Sequence, residues 1–387
     1  MINWRIGIVT KIDKAKDNVQ FIQVKEENGE IIKAIHYTDV HPSVQIGYEV
    51  LLNTTAVDLQ LGSGGFHFVY MILNNKKYLN KGESNNRFKN SSKSIPKKIG
   101  HIMKLRYTPQ QRAVLTCEEA DSPTHSLFLE ERNLEGTPVL IGELHSMLPI
   151  LCTWLQYKQN QDRISNELKI GYVMSDGGAL PISFSEHVAQ LKNINWIEGT
   201  ITYGHSYGGD IEAVNKFTAL IAAKHILQAD IIIVLMGPGI VGTGTKLGHT
   251  GIEAGEIANA VSILGGIPIM TTRISFHRER DRHKGISHHV LTTLSNITLQ
   301  SSRVPIPLNL PKEYIDHIQK QLTDYHLYKK HIITLNTELF IDEVEKSMEL
   351  YPYPIKSMGM ELHEDPYFFL GVCCAAQDAL DVVKWER

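Results

Sequence analysis

The chain is poor in cysteine: four in 387 residues, Cys117, Cys152, Cys373 and Cys374, with no Cys-x-x-Cys pair. That excludes a small scaffold framed by disulfides and a thiolate zinc knuckle, and reduced thiols in a cytoplasm are the expectation. It lacks long hydrophobic runs. The longest, Ile231 to Met236, is far short of the ~20 apolar residues that cross a bilayer. Met1 to Lys14 mixes charge with apolar residues and has no signal-peptide core. It also lacks a dominant charge: 39 Lys and Arg stand against 42 Asp and Glu, so no global polyelectrolyte binding is implied. Neither a membrane nor a nucleic acid is the expected partner. What is present is ordinary for a folded protein: 42% hydrophobic and 21% charged residues, enough chain for about two or three domains.

Residues 1–73 read as strands. Arg5–Lys11, Val19–Val24, Ile31–His36, Glu49–Leu52 and His67–Ile72 are rich in Ile, Val, Phe and Tyr, and Asn28-Gly29 is a hairpin signal between two of them. Five short strands with no helical period indicate a barrel-like module that docks on a neighbour or gates a substrate. Residues 74–100 differ. Asn74 to Lys98 carries seven Lys and one Arg against one Glu, which reads as a solvated basic linker or hairpin tip.

Residues 101–387 form the third region. Candidate strands are His101–Arg106, Ala113–Cys117, Val139–Leu144, Ile170–Met174, Gly199–Tyr203, Asp230–Met236 and Ile267–Ser275. Ala213, Val214, Phe217, Leu220 and Ile221 fall on one helical stripe, as do Ile257, Val261 and Leu264. Strands alternating with helices give the expected fold class: α/β, a doubly wound, mainly parallel sheet of Rossmann-like type with helices on both faces. Residues 311–387 read as helical additions. Lys312–Lys330 and Glu338–Leu350 are amphipathic, and Tyr367–Lys384 is a strongly apolar last helix that packs on the sheet or a second subunit, with Cys373 and Cys374 as buried core thiols.

Three strands end in polar loops containing glycine: 175–181, 204–210 and 237–251. In a parallel sheet such loops share the carboxyl edge, where open α/β sheets bind ligands, and a helix after each would aim its N–H groups into the same region. The longest loop fits G-x-G-x-x-G at Gly237, Gly239 and Gly242. Its better helix start is Thr250 with Glu253 as a capping box, and the next strand ends at Arg273 rather than at an acidic ribose ligand, so a dinucleotide site is disfavoured. From Gly239 the run approaches a P-loop, but Thr245 occupies the lysine position, which rejects a Walker A site. What remains is an anion cradle of N–H groups with Gly239, Gly242, Gly244, Lys246, His249 and Arg273 as ligand-binding candidates. The segment Arg273–His289 holds five basic residues and four histidines, and Glu143 and His145 are further edge candidates. No metal site is assigned, because the histidine spacing matches no standard motif and adjacent His288 and His289 cannot share a helix face. The residues name no cofactor.

Gly204-His205-Ser206-Tyr207-Gly208 fits G-x-S-x-G, the nucleophile elbow of α/β-hydrolases, between a strand and an expected helix. Asp176, His205 and Ser206 are therefore the catalytic candidates. Against this elbow, Asp210 is a better helix cap and no oxyanion loop follows the strand at Val139.

The runs Gly237–Gly248 (GPGIVGTGTKLG), His283–His289 (HKGISHH), Val50–Asp58 (VLLNTTAVD) and Gly64–Val69 (GGFHFV) resemble a family of uncharacterised bacterial proteins over nearly the whole chain. The resemblance implies a bacterial, intracellular protein, chiefly of Gram-positive type, and supplies no activity or catalytic residue. Three readings follow: an enzyme or sensor binding a small anionic, phosphorylated metabolites included, molecule at the sheet's carboxyl edge; a serine hydrolase using Ser206; and a homo-oligomeric assembly protein, a homo-oligomer being the expected state.

Overall fold

The computed structural model describes residues 3–16, 18–60, 64–74, 100–107, 110, 112–162, 167–277 and 281–386. The basic stretch from residue 75 to 99, with Arg278, Glu279 and Arg280, lies outside them. The chain divides into two compact units, residues 1–99 with 107–110, and residues 100–106 with 111–387.

The first unit is a closed five-stranded barrel. Its strands are β1 (Trp4–Lys16), β2 (Val19–Glu26), β3 (Ile31–Tyr37), β4 (Glu49–Asn53) and β5 (His67–Asn74), in the order β1-β2-β3-β5-β4. Only the β3–β5 pair is parallel. Alternation sends Val9, Ile22, Val24, Ala34, Val50 and Leu52 inward, and closure leaves no unpaired sheet edge. Gly29, at φ +89°, makes the β2–β3 turn that Asn28-Gly29 signals, because only glycine adopts that conformation without strain. Among the described residues no helix interrupts 5–52, and a helical turn, Thr55–Asp58, follows β4.

The second unit is built on an eight-stranded parallel sheet. A short hairpin of β6 (Ile102–Lys104) and β7 (Arg112–Val114) precedes it as a separate ribbon, and the second of the two earliest candidate strands meets the main sheet only at its end, where Thr116 forms a single parallel bridge with Glu212. The sheet strands are β8 (Pro138–Gly142), β9 (Ile170–Ser175), β10 (Gly199–Tyr203), β11 (Ile211–Ala213), β12 (Ile231–Met236), β13 (Ile267–Met270), β16 (Arg303–Pro307) and β17 (Ile332–Asn336). Between β13 and β16 lies the antiparallel pair β14 (Ile274–Ser275) and β15 (Gly285–Ile286). The spatial order is β11-β10-β9-β12-β8-β13-β16-β17.

The run Ile231–Met236 is wholly apolar because both sheet faces are covered. Ile231, Ile233 and Leu235 enter a core with the helices Met147–Asp162, Glu186–Asn193, Ile341–Met348 and Pro366–Glu386. Ile232 and Val234 enter the opposite core with Lys216–His225, Glu253–Ile263 and Lys312–Asp324. The sheet is thus doubly wound, as expected. The last helix has 21 residues, and by length and composition alone its first 18 would suit a membrane span, but 78% of that stretch is buried inside the fold. Its Asp378 accepts two hydrogen bonds from Arg303, at 2.6 and 2.7 Å, which removes the charge that otherwise interrupts the apolar face. All four cysteines are free and buried.

Three local readings are corrected. Residues 311–387 are not only helical, because β17 lies among them as the sheet's edge strand. Ala213 and Val214 do not start a helix; Ala213 ends β11, and the helix begins at Lys216 behind an Asn215 capping box. Thr250 and Glu253 do not form a capping box either. Thr250 Oγ1 accepts the Val241 N–H at 3.0 Å, and Glu253 instead accepts from Ser175 and Tyr203.

Candidate functional site

The site is set by how the chain leaves the sheet. After β8 the chain runs into Met147–Asp162 on one face; after the neighbouring β12 it runs into Glu253–Ile263 on the other. Connections that part in opposite directions open a crevice at the carboxyl ends of β8 and β12, which is where open α/β sheets take ligands.

Glu143 directly follows β8 and is buried. Its Oε1 accepts from Arg273 at 3.3 Å, and Oε2 lies 3.7 Å from His289 Nδ1. Arg273 follows β13, and the β14–β15 hairpin returns the chain to His288 and His289 at the start of the short helix His288–Thr292. His249, at the end of the long glycine loop, stacks on His289 with ring centroids 4.0 Å apart and planes 12° apart. His288 lies 4.2 Å from His289, and His283 4.9 Å from His288. Two glycines allow this packing. A Cβ on Gly242 would sit 3.4 Å from the His289 ring, and one on Gly251 would sit 2.8 Å from Glu143 Oε2.

The surroundings of these rings disfavour positive charge on them. Burial, with the neighbouring His249, His288, His283 and Arg273, pushes His289 down to about 3. Burial likewise lowers His249 and His288, and it raises Glu143 against the opposing Arg273. The histidines are therefore neutral at neutral pH, the form that offers a lone pair. Both ring nitrogens of His249 and of His288, and Nδ1 of His289, are buried without a hydrogen-bond partner among the described residues, as is Thr271 Oγ1. The Lys246 and Arg282 carbonyls approach the rings of His249 and His288 without meeting hydrogen-bond geometry. One ligand atom from each of Glu143, His249 and His289 lies within 4.8 Å of the others.

His249 also borders a cleft of about 520 Å³ at the ends of β9 and β10, walled by Asp176, Tyr203, Asn215, Lys216, Glu253 and Glu256 among others. The helices Lys216–His225 and Glu253–Ile263 both begin there, so their positive ends meet. Three carboxylates, Asp176, Glu253 and Glu256, face one amine, Lys216, among its lining side chains. Glu253 accepts from Ser175 Oγ and Tyr203 OH, both at 2.8 Å, and Glu256 pairs with Lys216 at 2.7 Å.

The sequence-derived candidates divide. Asp176, His205 and Ser206 do come together, but as a structural knot. Asp176 Oδ1 accepts the N–H groups of His205, at 2.6 Å, and Ser206, at 3.0 Å. The Ser206 hydroxyl is buried and donates to the Ser175 carbonyl at 2.9 Å, and His205 Nδ1 accepts the Leu105 N–H. Buried Lys104 donates to the Ser206 and Thr202 carbonyls and pairs with Glu212 at 2.6 Å. A nucleophile elbow turns from strand into helix; here 204–210 loops back into β11, parallel to β10, and the hydroxyl faces a carbonyl rather than a base. The elbow reading is thereby corrected. Asp210, expected as a helix cap, instead accepts from the N–H and hydroxyl of Thr200.

The glycine loop folds on itself. Thr243 N–H donates to Gly248 O, Gly248 N–H to Thr245, His249 N–H to Leu247 O, and Thr250 N–H to Val241 O. Those groups are spent within the loop and do not form an open cradle. Gly239 and Gly244 supply its positive φ values, +104° and +77°. Lys246 stands exposed at the tip, and Arg282 lies against Gly244. Of the candidate ligands, His249 and Arg273 reach the buried crevice, with Gly242 lining it.

A family model described as "Protein of unknown function (DUF3866)" matches residues 33–376 of the 387. The chain belongs to that family. The family's span omits β1 and β2 of the barrel, begins within β3, and takes in every residue of the crevice. No curated protein matches the chain. Sequence reasoning named Glu143 and the histidines but did not join them, since no linear spacing relates a β8 terminus to two later loops; it missed Lys216, Glu253 and Glu256.

Proposed function

We propose that this protein is an enzyme or sensor whose α/β unit binds a small molecule carrying an anionic group at the carboxyl edge of the sheet. The observation that carries the reading is the switch-point crevice, open through His249 to a cleft with two helix N-termini. Its charges are arranged in two poles. Lys246, Arg282 and Arg273 lie on the β12–β13 side; Asp176, Glu253 and Glu256 lie on the β9–β10 side. A ligand suited to both poles has a phosphate or carboxylate at one end and hydroxyl or amine donors at the other. The carboxylate-lined cleft argues against a ligand that is anionic throughout.

The test is a thermal-shift and calorimetric panel of sugar phosphates, nucleoside monophosphates and hydroxy acids against chelator-treated protein. At least one compound should bind, and Arg282→Ala or Glu253→Gln should weaken it about tenfold or more, each near 1.4 kcal/mol. Lys320→Ala, far along the chain on the Lys312–Asp324 helix, serves as a control. A panel without any binder, or binding indifferent to Arg282 and Glu253, would reject the reading.

A further inference from the structure

The geometry points to a divalent transition-metal site formed by Glu143, His249 and His289 at the β8–β12 crevice. Three independent features lead there. The first is the donor set: two imidazoles and one carboxylate is a ligand combination that holds zinc or ferrous iron while leaving positions open. The second is the unmet polar demand. His249 and His289 are each more than nine-tenths buried, yet His249 Nδ1 and Nε2 and His289 Nδ1 meet no hydrogen-bond partner among the described residues. Folded proteins seldom leave such nitrogens empty, because each unsatisfied buried group is costly. A metal ion satisfies one nitrogen of each ring at once. The third is reach. The three ligand atoms lie within 4.8 Å of one another, against about 3.4 Å between ligands of a tetrahedral ion with ~2.1 Å bonds. Binding an ion would draw the three ligand atoms inward by rotation of the His249 and His289 rings and of the Glu143 carboxylate.

The surroundings fit an ion rather than three packed rings. Arg273 holds the other oxygen of Glu143, which orients the carboxylate as outer partners of metal ligands do. His288, 4.2 Å from the His289 ring and with both nitrogens buried without a partner, stands ready as a fourth ligand or as a base beside a bound water. Because His249 also borders the cleft, the open coordination positions face the space where a small molecule enters. This inference deepens the proposed ligand-binding reading, but it is tested with metal alone, so the two fail separately.

Full-length protein is stripped with chelator and titrated with Zn²⁺ by calorimetry and with Co²⁺ by visible absorption, with no organic ligand present. One equivalent per chain is expected, with cobalt d–d bands that zinc bleaches. His249→Ala, His289→Ala and the near-isosteric Glu143→Gln should each weaken binding at least 100-fold, while His363→Ala, on an exposed histidine, should leave it unchanged. If the alanine variants fail to fold, Glu143→Gln and the cobalt spectrum of the unaltered protein decide. Absence of stoichiometric binding, a cobalt spectrum of the fully hydrated octahedral ion, or binding indifferent to Glu143→Gln would overturn the proposal. Stoichiometric metal binding together with a compound panel that yields no binder would leave the site standing and reject the small-molecule reading alone.

Discussion

Replacing Gly251 by alanine sets one methyl group against two proposed ligands at once. Its Cβ would lie 2.8 Å from Glu143 Oε2 and 3.1 Å from His249 Nδ1, inside the ~3.5 Å at which nonbonded heavy atoms rest. Gly251 is buried in the turn that starts the Glu253–Ile263 helix. Overpacking of this kind costs about 1–3 kcal/mol. The loss of glycine's backbone entropy in the unfolded chain offsets about 0.4–1 kcal/mol of it. Stability should therefore fall by only about 0–2.6 kcal/mol. Metal affinity should fall much further, at least ~100-fold or about 2.7 kcal/mol, since the methyl group keeps the carboxylate and the imidazole from closing on an ion. Urea unfolding and zinc calorimetry on the same preparation separate the two effects. A Gly251→Ala protein that binds zinc within threefold of the unaltered chain would refute the reasoning.

Other outcomes follow from the same geometry. Lys104→Met strips the half-buried Glu212 carboxylate and two carbonyls of a fully buried cation and should cost about 2–4 kcal/mol in urea unfolding; a loss under about 1 kcal/mol would contradict the structural role of Lys104. Ser206→Ala should cost only about 1 kcal/mol, the worth of its hydrogen bond to Ser175, and a fluorophosphonate probe should label Ser206 no more than any other serine. Burial holds His331 below its ordinary range, and its Nδ1 accepts the Ser302 N–H while Nε2 donates to the Leu294 carbonyl. The unfolded chain then takes up more protons below pH ~6.5, so this contribution is complete above that value and shrinks as pH falls. His331→Gln should flatten the fall in stability between pH 7.5 and 5.5, and an unchanged slope would assign that fall to other groups.

The barrel was legible because period-two alternation and Asn28-Gly29 are local signals. The central strands were legible because a sheet covered on both faces needs unbroken β-branched runs. β16 escaped because Pro305 and Pro307 break a strand pattern. The structure tolerates them because β13 pairs with β16 only at Ile269 and Arg303, so the prolines lie beyond that ladder and owe it no N–H. β17 escaped because its exposed alternation is short and flanked by helices. The elbow failed for a topological reason: G-x-S-x-G has meaning only where a helix follows, and residues 204–210 return to a strand. The glycine loop was recognised as important, but its chemistry was misplaced. Several of its N–H groups donate to the loop's own oxygens, while its buried polar residue His249 meets Glu143 and His289, brought near only by strand order.

The most direct test of the account is the anomalous difference map of a crystal of the full chain grown with Zn²⁺ and collected above the zinc absorption edge. The account predicts one strong peak per chain in the β8–β12 crevice, bonded to a Glu143 oxygen and to one ring nitrogen each of His249 and His289 at about 2.0–2.2 Å. No peak in that crevice, with zinc found only on exposed histidines such as His363, would contradict it.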